Sequence, residues 1–142
     1  MQRIIVATDG SPGANRALDA AARLTKAVGG ELVILTIGGS IERAELIRLA
    51  SVSGDLSKTL ETSANKILEQ ARKRALRAGV TAVKLQTGWG EPAETILDTI
   101  RREKAGILVV GRRGRGRLSG LLLGSVSQKL ASLAPCTVMV VP

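Results

Sequence analysis

A glycine-rich loop joins a strand pattern to a helix pattern in the stretch 107-ILVVGRRGRGRLSGLLLGSV-126. The apolar run from Ile107 to Val110 is typical of a parallel strand covered on both faces. The segment from Val126 to Leu133 is predicted to be a helix. Glycines let the backbone approach a ligand closely, and a helix N-terminus favours negative charge. The stretch therefore predicts a phosphate-binding loop between a buried strand and a helix.

The loop is too rich in glycine and arginine to be explained by helix capping alone. Ser125 as N-cap and Gln128 three residues later fit a capping box, which would suffice for a structural helix. The loop is not a Walker A motif, because Arg117 and Leu118 stand where Lys and Ser or Thr are needed, and it has no G-x-G-x-x-G. A phosphate loop of another kind is indicated by the glycines and arginines together: Gly111, Gly114, Gly116, Gly120 and Gly124, with Arg112, Arg113, Arg115 and Arg117.

Composition limits the classes of partner. The chain has 142 residues, enough for one domain with its own core, and 44% of them are apolar. Trp89 is the only aromatic residue, which argues against a single-strand nucleic-acid platform built on stacked rings. The net charge of +9 favours anionic partners such as nucleotides or nucleic acid.

Cysteine and histidine chemistry is largely excluded. Cys136 is the only cysteine and there is no histidine, so no intrachain disulfide and no Cys–His pair can form. Cys136 is expected to be a small core residue, and no metal site is assigned. With no signal peptide and no apolar run of membrane-spanning length, a cytoplasmic protein without a membrane partner is expected.

Strand and helix patterns alternate along the whole chain. This alternation predicts one domain, residues 1–142, with an open parallel sheet and helices on both faces. Ligands bind such sheets beyond the carboxyl ends of the strands, where the strand order reverses. The turn at residues 8–10 and the loop from Gly111 follow two such ends. The predicted strands are 4–7, 31–37, 80–86, 107–110 and 137–141. The predicted helices are 12–28, a long one that Asp55 caps and that runs to about Ala78, 92–104 and 126–133, with a shorter one within 41–49.

The chain resembles the universal stress protein family. The N-terminal Ile-Val-Ala-Thr-Asp-Gly-Ser is one matching feature. The spacing G-x2-G-x9-G-[S/T] is met by Gly111, Gly114, Gly124 and Ser125. The run Gly-Ser-Val-Ser-Gln-Lys-Leu at 124–130 and the C-terminal Ala-Pro-Cys followed by Val-Met-Val-Val are also similar to the family.

The resemblance implies a fold, a ligand and an assembly. The fold would be a Rossmann-like, adenine nucleotide alpha hydrolase-like sheet in the order 3-2-1-4-5. Members with this glycine motif bind ATP, accompanied by Mg²⁺ or Mn²⁺. A homodimer would form through the last strand, Thr137 to Val141. The implied function is that of a nucleotide-dependent regulatory protein of the stress response.

The resemblance also assigns site residues, several of which have plain structural alternatives. Asp9 could instead stabilise the first turn, Ile37 could be core, and Ser127 could be a surface hydroxyl. Trp89 is assigned no site. The implied positions are Ala7, Thr8 and Asp9 on the adenosine side, Ile37 at the base, Val110 and Gly111 under the ribose and phosphates, and Gly114, Gly124, Ser125, Val126 and Ser127 at the phosphates.

Two other functions remain open. A slow ATPase or phosphotransferase is one, although Asp9 is the only acidic candidate at the proposed mouth and no catalytic residue is assigned. A basic protein that binds nucleic acid by charge alone is the other. Part of its charge would lie on the helix after Asp55, which carries Lys66, Arg72, Lys73, Arg74 and Arg77.

Overall fold

The computed structural model describes residues 1–38, 56–112 and 123–142 of the chain. Within these ranges strands and helices alternate, as the sequence predicts. The elements are β1 (Arg3–Ala7), α1 (Pro12–Val28), β2 (Glu31–Ile37), α2 (Leu56–Arg77), β3 (Val83–Gly88), α3 (Pro92–Glu103), β4 (Ile107–Gly111), α4 (Ser125–Leu133) and β5 (Thr137–Val141).

The strands form a parallel sheet in the order β3-β2-β1-β4-β5, which confirms the expected order 3-2-1-4-5. The chain winds outward from β1 in one direction to β2 and β3, and in the other to β4 and β5. Val6 pairs with Val109, so the carboxyl ends of β1 and β4 lie side by side. The strand order reverses between these two strands, and ligands of open parallel sheets bind at such a point.

Helices cover both faces of the sheet, as predicted. Alternate residues of the strands point to opposite faces, so each central strand contributes to two cores. Ile4 and Val6 face α1 and α2, whereas Ile5 faces α3 and α4. The helical side of the first core consists of Ala17, Leu18, Ala21, Ala22, Leu68, Ala71 and Ala75, and that of the second of Ala93, Ile96, Leu97, Ile100 and Leu130.

The sequence signals at the start of α1 are confirmed. Ser11 is the N-cap, and its hydroxyl accepts a hydrogen bond from the Ala14 N–H at 3.2 Å. Pro12 occupies the first helical position, where its missing N–H costs nothing. The helix ends at Gly29, whose φ of 66° is the left-handed conformation that glycine adopts without strain.

Several predicted boundaries were wrong, most clearly those of α4 and of β3, which ends at Gly88 and not at 86. Ser125 is the first helical residue of α4, and Gly124 is the N-cap, because the Gln128 N–H bonds to the Gly124 carbonyl at 2.9 Å. The predicted capping box is therefore displaced by one residue. β3 begins at Val83 instead of 80, since the Val80 N–H still bonds to the Ala75 carbonyl at 3.2 Å and closes the end of α2. The predicted Asp55 cap and the helix within 41–49 lie outside the described residues.

A buried carboxylate links the end of α3 to the sheet. The side chain of Glu103 is 7% exposed and bonds to Lys84 Nζ at 2.9 Å and to the Gln86 amide. Arg3 lies 3.7 Å from the same carboxylate. The Lys84 hydrogen bond, helped by Gln86 and Arg3, lowers the pKa of Glu103 below its usual 4.5 despite burial. Glu103 therefore joins three elements as an anion.

We predict that Glu103→Gln destabilises the fold at neutral pH by about 1 kcal/mol, a modest value because Lys84 is half-exposed. A lowered carboxylate pKa adds stability above the ordinary value of 4.5, and this contribution is lost as the pH falls through the lowered pKa. Urea unfolding at pH 7 and at a pH below 4.5 should show the difference between variant and wild type shrinking on acidification. Asp98→Asn, an exposed carboxylate on the same helix, should change little at either pH; an equal effect of both substitutions would contradict the assignment.

Candidate functional site

The turn after β1 is fixed by short polar hydrogen bonds. The Thr8 hydroxyl accepts from the Gly10 N–H at 3.1 Å, and Asp9 Oδ1 accepts from the Ser11 N–H at 2.9 Å. Gly10 has a φ of 79°, which requires glycine. Asp9 thus has the structural role considered for it, in a turn that leads directly into α1. Its adenosine role stays a prediction.

Thr8 also ties β1 to β2 at their carboxyl ends. Its N–H donates to the Leu35 carbonyl at 2.9 Å, and the Thr36 hydroxyl donates to the Thr8 carbonyl at 2.8 Å. Thr36 is 1% exposed, and the sequence analysis did not single it out. A polar residue within the apolar run of β2 was the signal that could have found it, because a buried hydroxyl needs a partner.

The two described ends of the glycine-rich loop meet at its base. The Gly124 N–H donates to the Arg112 carbonyl at 2.8 Å, and the Arg112 N–H donates to the Val141 carbonyl at 2.7 Å. The hydroxyl of Ser127, a buried residue, donates to the Gly111 carbonyl at 2.7 Å. We call these three contacts the loop clamp. The clamp fixes the N-terminus of α4 against the end of β4.

The first turn of α4 presents backbone donors at this position. The first intrahelical bond is that of the Gln128 N–H, so the N–H groups of Ser125, Val126 and Ser127 have no acceptor within the helix. Such groups, with the positive end of the helix dipole, favour an anion. The Ser127 hydroxyl hydrogen is used in the loop clamp, so its contribution to an anion site is the backbone N–H and the oxygen lone pairs.

The backbone conformation at Gly124 does not require glycine. Its φ of −69° and ψ of 164° are extended angles that any residue adopts, and no side chain caps the helix. Ser, Asp or Asn would cap at least as well as glycine there. Neither backbone conformation nor helix capping therefore explains the glycine at this position.

The remaining predicted residues differ in their surroundings. Val110 and Ile37 are buried, at 5% and 7% exposure, in the core that faces α3 and α4, and Ala7 packs against the same core. Ile37 therefore has the core role considered for it, and its contact with a base stays a prediction. Gly114 lies outside the described residues, as do the arginines at 113, 115 and 117. Arg112 is exposed at the loop base.

The structure brings the predicted site residues of β1, β4 and α4 to one edge of the sheet. Ala7 ends β1 and is followed by Thr8 and Asp9, while Val110 and Gly111 end the neighbouring β4. Ser127 lies against Gly111 through the loop clamp. Ile37 lies at the same edge, one strand away on the other side of β1.

Other chemical features are sparse in the described part of the chain. Residues 1–38, 56–112 and 123–142 contain no group of three His, Cys, Asp or Glu side chains that could hold a metal ion. Burial raises the pKa of the Cys136 thiol, which packs beside the second core. Among the helices described, none combines the length and apolarity needed to cross a membrane.

Comparison with known proteins gives consistent matches over the full length. The profile of the universal stress protein family matches residues 1–142. Universal stress protein YxiE of Bacillus subtilis is 34% identical over 149 residues, covering 98% of this chain and 97% of that protein.

Two solved structures extend the comparison. A universal stress protein in complex with cAMP is 30% identical, with a TM-score of 0.75, covering 99% of this chain and 97% of that one. The universal stress protein from Archaeoglobus fulgidus in complex with dAMP has a TM-score of 0.72, covering 100% and 98% of the two chains. Its 20% identity supports the shared fold only.

We predict that Ser127→Ala weakens the loop clamp and lowers the free energy of unfolding by about 1 kcal/mol, because the Gly111 carbonyl loses its donor. Ser132→Ala is the matched control, since Ser132 is an exposed serine on the same helix. Its effect should stay within about 0.5 kcal/mol. Urea unfolding of both variants measures the difference, and equal stabilities would mean that the clamp contributes nothing.

Proposed function

Because this chain belongs to the universal stress protein family, we propose that it is an ATP-binding regulatory protein of the stress response. In this proposal it acts in the cytoplasm as a homodimer, and ATP binding is its primary chemical property. The observation that carries the proposal is the N-terminus of α4, fixed beside the ends of β1 and β4 and preceded by a glycine whose backbone does not require glycine.

The phosphates are proposed to lie on the first turn of α4. The N–H groups of Ser125, Val126 and Ser127 donate to phosphate oxygens, and the missing side chain of Gly124 lets those oxygens approach. Gly111 and Gly114 are proposed to let the backbone approach the phosphates closely. Arg112 directly follows Gly111 in the sequence and adds positive charge near the proposed phosphate position. We propose that at least one loop arginine contributes to the affinity for ATP.

The adenosine is proposed to lie across the ends of β1 and β2. Ala7, Thr8 and Asp9 line the ribose side, Val110 lies beneath, and Ile37 meets the base. A solved relative in complex with cAMP, at 30% identity, supports an adenine nucleotide as the ligand class. Mg²⁺ or Mn²⁺ bound to the phosphates would neutralise part of their charge and arrives with the nucleotide.

Regulation by binding is favoured over rapid turnover. The Asp9 carboxylate is the one acidic group among the proposed site residues, and one of its oxygens accepts a hydrogen bond from the Ser11 N–H. A carboxylate that holds a turn is poorly suited to move as a general base. We therefore propose that any hydrolysis is slow.

The proposed dimer forms along β5, the edge strand beside β4. The Thr137 N–H bonds to Gly106 and the Val141 carbonyl accepts from Arg112, so both residues direct their backbone groups towards β4. Alternation along the strand directs the N–H and C=O of Val138 and Val140 outward. An apolar edge with outward backbone groups is suited to pairing with a second copy.

We predict that Gly124→Asp abolishes ATP binding while keeping the fold. Wild-type protein, stripped of nucleotide, should bind Mg-ATP with a Kd of about micromolar in titration calorimetry, roughly −8 kcal/mol. The aspartate caps α4 at least as well as glycine but places a negative side chain before the phosphate donors. Affinity should fall at least about a hundredfold, or by roughly 2.8 kcal/mol.

Gly124→Asn is the matched control for charge. It has nearly the size of aspartate and is a good N-cap, so it should weaken ATP binding through bulk alone and less than aspartate does. Thermal unfolding should show both variants as stable as wild type. A folded Gly124→Asp protein with unchanged ATP affinity would contradict the proposed phosphate site.

We predict that Met139→Lys converts the dimer to a monomer without unfolding it. Met139 is 36% exposed in the middle of β5, and an added charge on an edge strand opposes pairing. Light scattering after size exclusion measures the mass. Leu133→Lys, at a 55% exposed position on α4, is the control and should leave the dimer intact. A wild-type monomer would rule out the edge dimer.

A further inference from the structure

Trp89 is the only aromatic residue of the chain, and it is half-exposed. Its relative exposure is 52%, and it lies between β3 and α3. The segment leaves the carboxyl end of β3, so Trp89 lies at the same edge of the sheet as the proposed nucleotide site. The fold uses Ala, Val, Ile and Leu for its cores and leaves its one large ring at this edge.

The register of β2 and β3 places Trp89 beside the proposed base contact. Ile37 of β2 pairs with Gly88 of β3, so the residues that follow these two strands are Gly38 and Trp89. The six-membered ring of Trp89 lies directly on Gly38, where an added Cβ would collide with it. Gly38 is buried as a result. The ring therefore packs against the residue that follows Ile37 at the end of β2.

The backbone of Trp89 is held in place by its own turn. The Thr95 hydroxyl donates to the Glu91 carbonyl at 2.8 Å and also lies within 3.3 Å of the Trp89 carbonyl, the weaker of its two contacts. Gly90 has a φ of 118°, which requires glycine, and Glu91 caps α3 through the N–H groups of Ala93 and Glu94. The ring is thus presented by a turn anchored on a helix start.

Coverage of Gly38 does not account for the whole ring. A smaller apolar side chain would cover a glycine Cα, and residue Trp89 as a whole is 52% exposed. Exposed indole surface next to a nucleoside position has a clear chemical use, because a purine stacks on an aromatic ring through its face.

We propose that Trp89 forms the outer wall of the nucleobase subsite and contacts the base of the bound adenine nucleotide. This inference rests on the proposed function of the site. Ile37 supplies the inner, aliphatic contact and the indole supplies the outer one. A purine gains more than a pyrimidine from this wall because its ring surface is larger, so Trp89 contributes to selectivity for the base.

The test combines fluorescence with calorimetry on the full chain. Trp89 is the sole tryptophan and there is no tyrosine, so all intrinsic indole emission reports this one position. Mg-ATP should change the emission and protect the ring from acrylamide quenching. Calorimetry should show Trp89→Ala binding Mg-ATP about tenfold or more weakly, within the range of a lost base–aromatic stack, and Trp89→Phe in between.

Selectivity provides the readout that a purely structural role would leave unmoved. Wild type should prefer Mg-ATP to Mg-UTP, and Trp89→Ala should lose much of that preference by weakening ATP more than UTP. Val28→Ala is the control, since Val28 is 50% exposed and lies at the end of α1, at the opposite edge of the sheet. It should change neither affinity. Circular dichroism establishes that each variant is folded.

The outcomes separate the two proposals. Normal ATP binding by folded Trp89→Ala with an unchanged ATP-to-UTP ratio would overturn the role of Trp89 and leave the proposed function standing. No calorimetric binding by wild type would overturn both. Equal weakening of ATP and UTP would assign Trp89 to support of the end of β2 and would overturn the base contact.

Discussion

The parallel pairing of β1 with β4 is the constraint on which the rest of the structure depends. It brings together two segments about a hundred positions apart in sequence, and it places the turn at Thr8–Gly10 beside the loop that begins at Gly111. The loop clamp then fixes α4 to the end of β4 through the Ser127 hydroxyl, so the first turn of the helix, whose N–H groups have no acceptor within the helix, is held against that strand end.

The charge of the protein is divided between regions with different structural roles. On α2, Arg72 pairs with Glu69 and Arg74 with Asp19, so part of that basic helix is already neutralised. Asp19 lies beside Arg74, whose hydrogen bond lowers the pKa of that carboxyl. Lys66, Lys73 and Arg77 are spaced seven and four residues apart and form an exposed stripe opposite the buried side of α2. This stripe is the competing place for an anionic partner, because it offers charge without the directed N–H groups of α4.

The fold was predictable because its strands are apolar runs and its helices have clear start and stop residues. Ser11-Pro12 and Gly29 marked both ends of α1, and β2 and β5 were predicted to the residue. Which strands are neighbours came from the family resemblance, since pairing between β1 and β4 is a long-range contact that no local pattern encodes. The start of β3 was missed because Val80 is apolar yet belongs to the end of α2. The displaced N-cap of α4 was missed because Gly124 and Ser125 are both acceptable caps, and only the hydrogen-bond register chooses between them.

For the site, residue types could suggest Ser127 but not that its hydroxyl holds Gly111, and nothing local indicated that Trp89 would lie on Gly38.

An adenine nucleotide is proposed to bind between the first turn of α4 and the ends of β1 and β2. The most direct measurement is a titration of isotopically labelled protein with Mg-ATP, followed by the backbone amide resonances in two-dimensional NMR. We expect the largest shifts at the amides of Ser125, Val126 and Ser127 and at Ala7 to Asp9, with little change at Lys66, Lys73 and Arg77. Shifts confined to the basic stripe of α2, with the amides of α4 unmoved, would contradict it and would mean that the protein binds anions by surface charge alone.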